Sequence, residues 1–314
     1  MIYDTNYDLT CVGMSLVDSI IRDFDPTPAT STGYQALSSS LNVGGEAVNE
    51  AIAAAKLGLK TRILCALGQD VAGEIILNSL KKYGVDTELI VTSPQTPVTT
   101  MFVNSDGNRK SIINEAHKYN FHPEKYNSAL KDSKVLLLGS LFRAPFDDAN
   151  VLYSVVSNAH EAGQIIIADT KLPKNLRLND IAASLPLIDY ITPNEDEAKY
   201  LTGKEEPEEM ADVFLNYGVK NVIIKLGAKG CYFKSENKNG SGKYMIPGYK
   251  INAIDATGAG DNFIAGFVSE LLRGAIIKDA LIFANACGAI CTTSVGAGTA
   301  LQNREQVLRW IEEH

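Results

Sequence analysis

The chain has 314 residues, 45% of them hydrophobic, and a formal net charge of −8, so it can bury a large core. The acid excess leaves no basic field for nucleic acid or an anionic membrane surface, and no apolar run approaches membrane-spanning length. Cys11, Cys65, Cys231, Cys287 and Cys291 are scattered without a CxxC pair. They therefore indicate neither a disulfide framework nor a zinc site. The start, MIYDTNYDL, lacks the basic and apolar regions of a signal peptide, and a cytoplasmic location is expected.

Residues 8–14 (DLTCVGM) read as a buried strand ending at Gly13. Asp18 follows at its end, where open α/β sheets bind ligands; a solvated turn carboxylate is the alternative. Residues 19–43 are polar and rich in Ser and Thr, as strands exposed on one face would be. Gly44 and Gly45 open an alanine-rich helix over 47–57 that Gly58 closes. Asn49, in its first turn, is a local cap or a ligand contact, and the paired glycines favour the contact. TRILCALG (61–68) reads as one strand. A helix over 70–85 follows, with Asp70 as N-cap and Gly84 as stop. Residues 96–116 hold two β-rich arms around Asp106-Gly107, a hairpin that interrupts the βα alternation and reads as part of a small β lid. Arg109 and Lys110 are read as exposed hairpin charges.

The alternation then resumes. VLLLGSLF (135–142) is a buried strand, and a helix over 147–162 ends at Gly163. The strand QIIIADT (164–170) leaves Asp169 and Lys171 at its tip. IDYITPNEDEAKYLTG (188–203) joins strand to helix, with Asn194 and Glu197 in the first helical turn. A helical segment at 207–217 precedes the strand 221–227. GCYFKS and KYMIPGY flank Asn239-Gly240 as a second hairpin, and helices at 278–293 and 303–313 close the chain. Strands alternating with helices predict a parallel sheet covered on both faces, in one domain over 1–314 carrying a β lid from about 16–43 and 96–117.

The densest chemistry lies at 255–267, DATGAGDNFIAGF. A glycine-rich turn there opens directly into an apolar helix, whose N-terminal amides and dipole make an anion site. Asp261 can cap that end; the alternative is a phosphoryl-transfer centre in which Asp261 does acid–base work. There is no GxxxxGKS/T, GxGxxG, HExxH or GxSxG, which excludes the P-loop, dinucleotide, zincin and hydrolase-elbow readings. The remaining strand tips and helix starts, Asp18, Gly44, Gly45, Asn49, Asn194, Glu197, Gly258, Ala259, Gly260 and Asp261, converge on one crevice in an open α/β sheet.

DATGAGDNFIAGF resembles the C-terminal signature of the ribokinase-like (PfkB) carbohydrate kinase family, and NVGGEAVNEAIAAAKLG (42–58) its N-terminal signature. LGQDVAGEIILNSLKKYGVDT and ITPNEDEAKYLTG are similar to further family blocks, in order over essentially the whole chain. The resemblance implies a three-layer α/β/α sandwich with a mostly parallel sheet and a small β-sheet lid. It also implies phosphorylation of a sugar or nucleoside hydroxyl by ATP with Mg²⁺. Asp261 then matches the catalytic base, kept ionised beside the helix N-terminus. Gly258, Ala259 and Gly260 match the anion hole. Asp18, Gly44, Gly45 and Asn49 match the sugar contacts. Asn194 and Glu197 match the NxxE motif, Glu197 holding Mg²⁺ through water. Lys225, Gly227 and Gly230 resemble the nucleotide-side loop, and Asn285 flanks the adenine. Asp255, Thr257 and the turn at 294–296 resemble the monovalent-cation (K⁺) site of ribokinase-type members. A homodimer through the lid is implied, with no nucleic-acid or membrane partner.

Three departures bear on the substrate. Glu46 stands where ribokinases carry Lys, Leu141 where they place a sugar-contacting Glu, and Leu16 where they have Asn. Fructose, a 2-keto-3-deoxy sugar acid and a nucleoside remain open. A catalytically silent sugar-binding regulator is the reading from another class, and the retained Asp261, Gly258 and Gly260 speak against it.

Overall fold

The computed structural model describes residues 5–23, 25–30, 33–103, 109–113, 121–236 and 242–314. The turns read at Asp106-Gly107 and Asn239-Gly240 lie outside these residues. The first part of the chain carries β1 (Tyr7–Val12), β2 (Leu16–Arg22), β3 (Asp25–Thr30), β4 (Gly33–Gln35), β5 (Ser38–Gly44) and α1 (Glu46–Lys56). Next come β6 (Thr61–Leu64), β7 (Ala66–Gly68), α2 (Val71–Lys82), β8 (Val91–Ser93), β9 (Val98–Val103) and β10 (Arg109–Ile113). A short α3 (Asn127–Leu130) leads to β11 (Ser133–Leu141), α4 (Ala149–Glu161) and β12 (Ile165–Thr170). β13 (Tyr190–Thr192), α5 (Glu195–Thr202), α6 (Pro207–Asn216), β14 (Asn221–Lys225), β15 (Cys231–Ser235) and β16 (Gly242–Ile246) follow. Three helices end the chain: α7 (Ala259–Leu272), α8 (Ile277–Cys291) and α9 (Arg304–Glu313).

Eight strands form the main sheet in the order β16-β15-β14-β13-β12-β11-β1-β6. The run from β6 to β14 is parallel, and β15 and β16 add an antiparallel edge. Parallel strands are buried on both faces, so they read as continuous apolar runs. Alternate residues serve opposite layers. Val135, Leu137, Ile167 and Ile223 pack towards α1, α2, α7, α8 and α9, whereas Leu136, Leu138, Ile166 and Val222 pack towards α4, α5 and α6. The result is a three-layer α/β/α sandwich with all five cysteines free and buried. Among the described residues no helix is long and apolar enough to cross a membrane.

A second, four-stranded sheet runs β10-β9-β2-β5, with β2 parallel to β9 and antiparallel to β5. Two expectations change here. Asp18 does not sit at the tip of β1; it lies inside β2, opposite Asn42 of β5. The segment 61–68 is also not one strand, because the chain changes partners at Cys65: β6 pairs with β1 and β7 with β8. A uniformly apolar run cannot report such a switch.

Candidate active site

Helix α7 is preceded by its N-cap Gly258, whose φ of 76° is left-handed. A Cβ built there would lie 2.3 Å from the Ala297 Cβ, so only glycine brings this turn against the 297 segment. Asn262, wholly buried, fixes the junction by donating from Nδ2 to the carbonyls of Gly258 (2.8 Å) and Ala297 (2.6 Å). The Ala259 amide turns back to the Ala256 carbonyl at 3.2 Å, whereas Gly260 and Asp261 belong to the first turn, where amides lack intrahelical acceptors. Asp261 does not cap the helix. The N-cap is Gly258, without a side-chain bond, and Asp261 Oδ2 instead accepts from Asn49 Nδ2 at 2.7 Å.

That bond brings the start of α1 against the start of α7. Gly45, φ 94°, precedes α1, and a Cβ on it would meet the Met14 carbonyl oxygen at 2.5 Å. A Cβ on Gly44 would stand 2.4 Å from Asp18 Oδ2, so the bare glycine makes room for that carboxylate. Between them Glu46 accepts from Ser140 Oγ at 2.9 Å and pairs with Lys171 Nζ at 2.7 Å. Leu141 is buried in the core, and its register against Thr170 follows an irregularity in β11.

The electrostatics depart from the expectation of an ionised Asp261. Burial pushes its carboxyl up to about 7, and the negative charges of Glu46 and Asp169 add to this against Lys171 and the Asn49 bond. Lys171 is held above its ordinary range by Glu46. Glu46 is lowered: burial acts to raise it, and Lys171 outweighs that. Lys225, at the tip of β14, donates to Asp169 Oδ1 at 2.6 Å, and a Cβ on Gly260 would stand 3.2 Å from its ammonium. Its charge therefore faces the turn that opens α7. Glu50 is fully buried, and neither of its oxygens has a hydrogen-bond partner among the described residues. Burial first, then Asp169, Asp261 and Glu46, raise its carboxyl well above the usual range. The carboxylates of Glu50, Asp169 and Asp261 lie within 4.8 Å of one another.

Asn194 and Glu197 do form a reciprocal cap on α5. Asn194 Oδ1 accepts from the Glu197 amide at 2.9 Å, and Glu197 Oε2 accepts from the Asn194 amide at 3.0 Å and Thr170 Oγ1 at 2.7 Å. Glu197 is 4% exposed and faces Lys225 and Asp169, so a hard-oxygen donor stands beside the Lys225 ammonium. Beyond Lys225 opens a cavity of about 360 Å³ lined by Gly227, Ala228, Gly230, Tyr249, Phe263 and Ala289, among others, a size typical of small-molecule sites. Gly230, φ 99°, cannot carry a side chain, since a Cβ would lie 2.0 Å from the Ile246 carbonyl oxygen. Asn285 lines the same cavity, with its Nδ2 on the carbonyls of Ile246 (3.4 Å) and Pro247 (3.3 Å). Asp255 and Thr257 bond to each other: Asp255 Oδ1 takes the Thr257 amide (3.0 Å) and hydroxyl (2.7 Å).

Asn262, Glu50, Asp169, Lys171 and Tyr249 join the site without having been placed in it from sequence. A polar Asn and a Glu inside apolar helical stretches were the available signals for the first two. Asp169 and Lys171 carried the strand-tip signal at the end of 164–170, and Tyr249 is brought in by a segment distant in sequence.

A buried carboxyl bonded to an amide at one helix start, facing a glycine turn with a lysine behind it, defines a phosphotransferase-type crevice on an open α/β sheet. Residues 11–304 match the model of the pfkB family carbohydrate kinases, and the chain belongs to that family. It is 30% identical to a ribokinase of Haemophilus influenzae over 97% of this chain and 98% of the relative. It is 31% identical to a probable fructokinase-5 of Arabidopsis thaliana over 92% of each. The structure of Arabidopsis thaliana ribokinase complexed with ribose and ATP superposes with a TM-score of 0.83 at 24% identity, covering 98% of this chain and 99% of that one. The chain is thus a carbohydrate kinase of the ribokinase-like fold.

Proposed function

We propose that the chain transfers the terminal phosphoryl group of ATP to a hydroxyl of a small sugar. The Asn49–Asp261 bond carries this reading, because it sets a base between the acceptor side (Asp18, Gly44, Gly45, Asn49) and the phosphate side (Gly258, Ala259, Gly260). Asp261 takes the acceptor proton as the oxygen attacks, and Asn49 fixes which carboxylate oxygen faces it. The first-turn amides of α7 and the Lys225 ammonium face the negative charge of the moving phosphoryl group. Asp18, Glu46 and Lys171 offer acceptors and a donor that orient a polyol. The cavity beyond Lys225 takes the adenine, with Gly227 and Gly230 shaping its wall and Asn285 holding its floor. Carboxylate donors at Glu197 and Asp169 suit Mg²⁺ held largely through water; when bound, the ion neutralises phosphate charge. The exposed Leu41 and Ile112 on the small sheet support its service as a lid that pairs between two subunits.

The test is a panel of sugars and nucleosides incubated with ATP and read as ADP release and phosphorylated product. One acceptor should turn over far above the ATP hydrolysis background. Release of ADP without any phosphorylated acceptor would remove the kinase reading.

A further inference from the structure

The resemblance places a monovalent cation at Asp255, Thr257 and the turn at 294–296, and the residues present do not fit one. Asp255 is 13% exposed, and both its oxygens are engaged. Oδ1 accepts from the amide and hydroxyl of Thr257, and Oδ2 from the Gly296 amide at 3.0 Å. The positive charge beside Oδ2 is the guanidinium of Arg22, with Nη2 at 3.6 Å. Four neighbouring carbonyls also take donors from within the chain. Thr257 O takes Cys291 Sγ at 3.4 Å, Val295 O takes the Thr299 hydroxyl at 2.8 Å, and Ala297 O takes Asn262 Nδ2 at 2.6 Å. Thr292 O takes the Ile254 amide at 2.8 Å. The charge that faces the Asp255 carboxylate is thus already supplied by the guanidinium, and four of the surrounding carbonyls are committed to donors of the chain itself.

We propose that Arg22 is the built-in cation of this turn, so that the enzyme works without K⁺. Arg22 ends β2, and Asn42 of the adjoining strand β5, which lies opposite Asp18, also reaches the turn: a Cβ on Gly296 would stand 3.4 Å from Asn42 Oδ1. Arg22 Nε is buried without a hydrogen-bond partner among the described residues, while the side chain as a whole stays 29% exposed, so part of the guanidinium has given up water beside the Asp255 carboxylate. Arg22 is therefore a positioning residue. It acts through Asp255 on the backbone that leads, three residues later, into Gly258 and the start of α7. The proposal rests on the kinase reading only for its effect on turnover.

The experiment compares wild type with Arg22→Ala and Arg22→Lys in chloride salts of K⁺, Na⁺, guanidinium (at low millimolar level) and tetramethylammonium at equal ionic strength. Turnover and thermal midpoint are both measured. Wild type should be indifferent to the cation in both. Arg22→Ala should lose about twofold to fivefold in kcat, the scale of one partly exposed ion pair. It should regain part of that loss, and several degrees of midpoint, in K⁺ or guanidinium but not tetramethylammonium, and Arg22→Lys should fall between. A purely structural role for Arg22 would lower the midpoint without creating any cation response. Strong K⁺ activation or K⁺ stabilisation of wild type would overturn the proposal, and so would an Arg22→Ala variant blind to the cation. If no acceptor is phosphorylated the kinase reading fails, and the midpoint response still decides the role of Arg22.

Discussion

Asn49 of α1 donates its side-chain amide to Oδ2 of Asp261 in α7 at 2.7 Å, across 212 residues of sequence. One oxygen of the proposed base is thereby fixed, and the other is left for the acceptor in that reading. Asp261→Asn removes the proton acceptor while changing almost no volume. Turnover should fall by about 10²–10⁴, the usual worth of a positioned base, with sugar and ATP affinity by titration calorimetry close to wild type. Near-normal activity in this variant would mean that another group takes the proton.

The burial of Asp261 has a kinetic consequence. Its carboxyl is raised to about 7 by burial and by the charges of Glu46 and Asp169, and only the ionised form can accept a proton. On the acid side kcat/KM should therefore drop about tenfold per pH unit, with a midpoint near 7, because this ratio reports the free enzyme. Glu46→Gln removes a negative neighbour, so its midpoint should move to lower pH. A profile flat between about pH 5.5 and 8.5 would exclude Asp261 as the titrating base.

What the sequence shows of this site divides by the physical origin of each feature. Gly44, Gly45, Gly258 and Gly230 are legible because the backbone allows nothing else where a Cβ would collide. The parallel sheet is legible because strands covered on both faces read as apolar runs. The raised carboxyl of Asp261 is not legible: its causes, Glu46 and Asp169, come from two other elements, and helix-end proximity alone argues the opposite sign. Lys225 illustrates the same limit, since as a strand-end charge it is unremarkable until Asp169, 56 residues away, is found against it. The capping bonds of Asn194 and Glu197 are local and readable from spacing. The burial of Glu197 beside Lys225 is not.

Glu50 should mark itself through stability. Its carboxyl, raised well above the ordinary 4.5 by burial and three neighbouring acids, keeps its proton in the fold, whereas the unfolded chain releases it near that ordinary value. As pH rises above 4.5 the unfolded state gains from ionisation, so this group's contribution to stability is fully present below that pH and is lost as pH climbs towards the folded value. The loss is about 1.4 kcal/mol per pH unit while it lasts. Glu50→Gln has the same shape and nothing to titrate. Its thermal midpoint should match wild type near pH 4.5 and exceed it increasingly towards pH 8. A difference between the two that does not change with pH would show that Glu50 is ionised in the fold.

The cavity beyond Lys225 offers a test that separates the two substrates. Ala289 of α8 lines it, together with Ala259 and Phe263 of α7, and its small side chain leaves the floor open. Ala289→Leu puts three further carbons into a space of about 360 Å³, with Gly227, Gly230 and Tyr249 closing the other sides. The base moiety of ATP then has to shift or be excluded, at about tenfold to a hundredfold in KM for ATP, a scale set by steric misfit in an apolar pocket. Asp18, Gly44 and Asn49 stand on the other side of the Gly258 turn, so KM for the sugar should change little. Steady-state kinetics with each substrate varied at saturating levels of the other reads both numbers from one variant. If the sugar KM rises and the ATP KM does not, the acceptor occupies this cavity, and the two halves of the crevice are assigned the wrong way round.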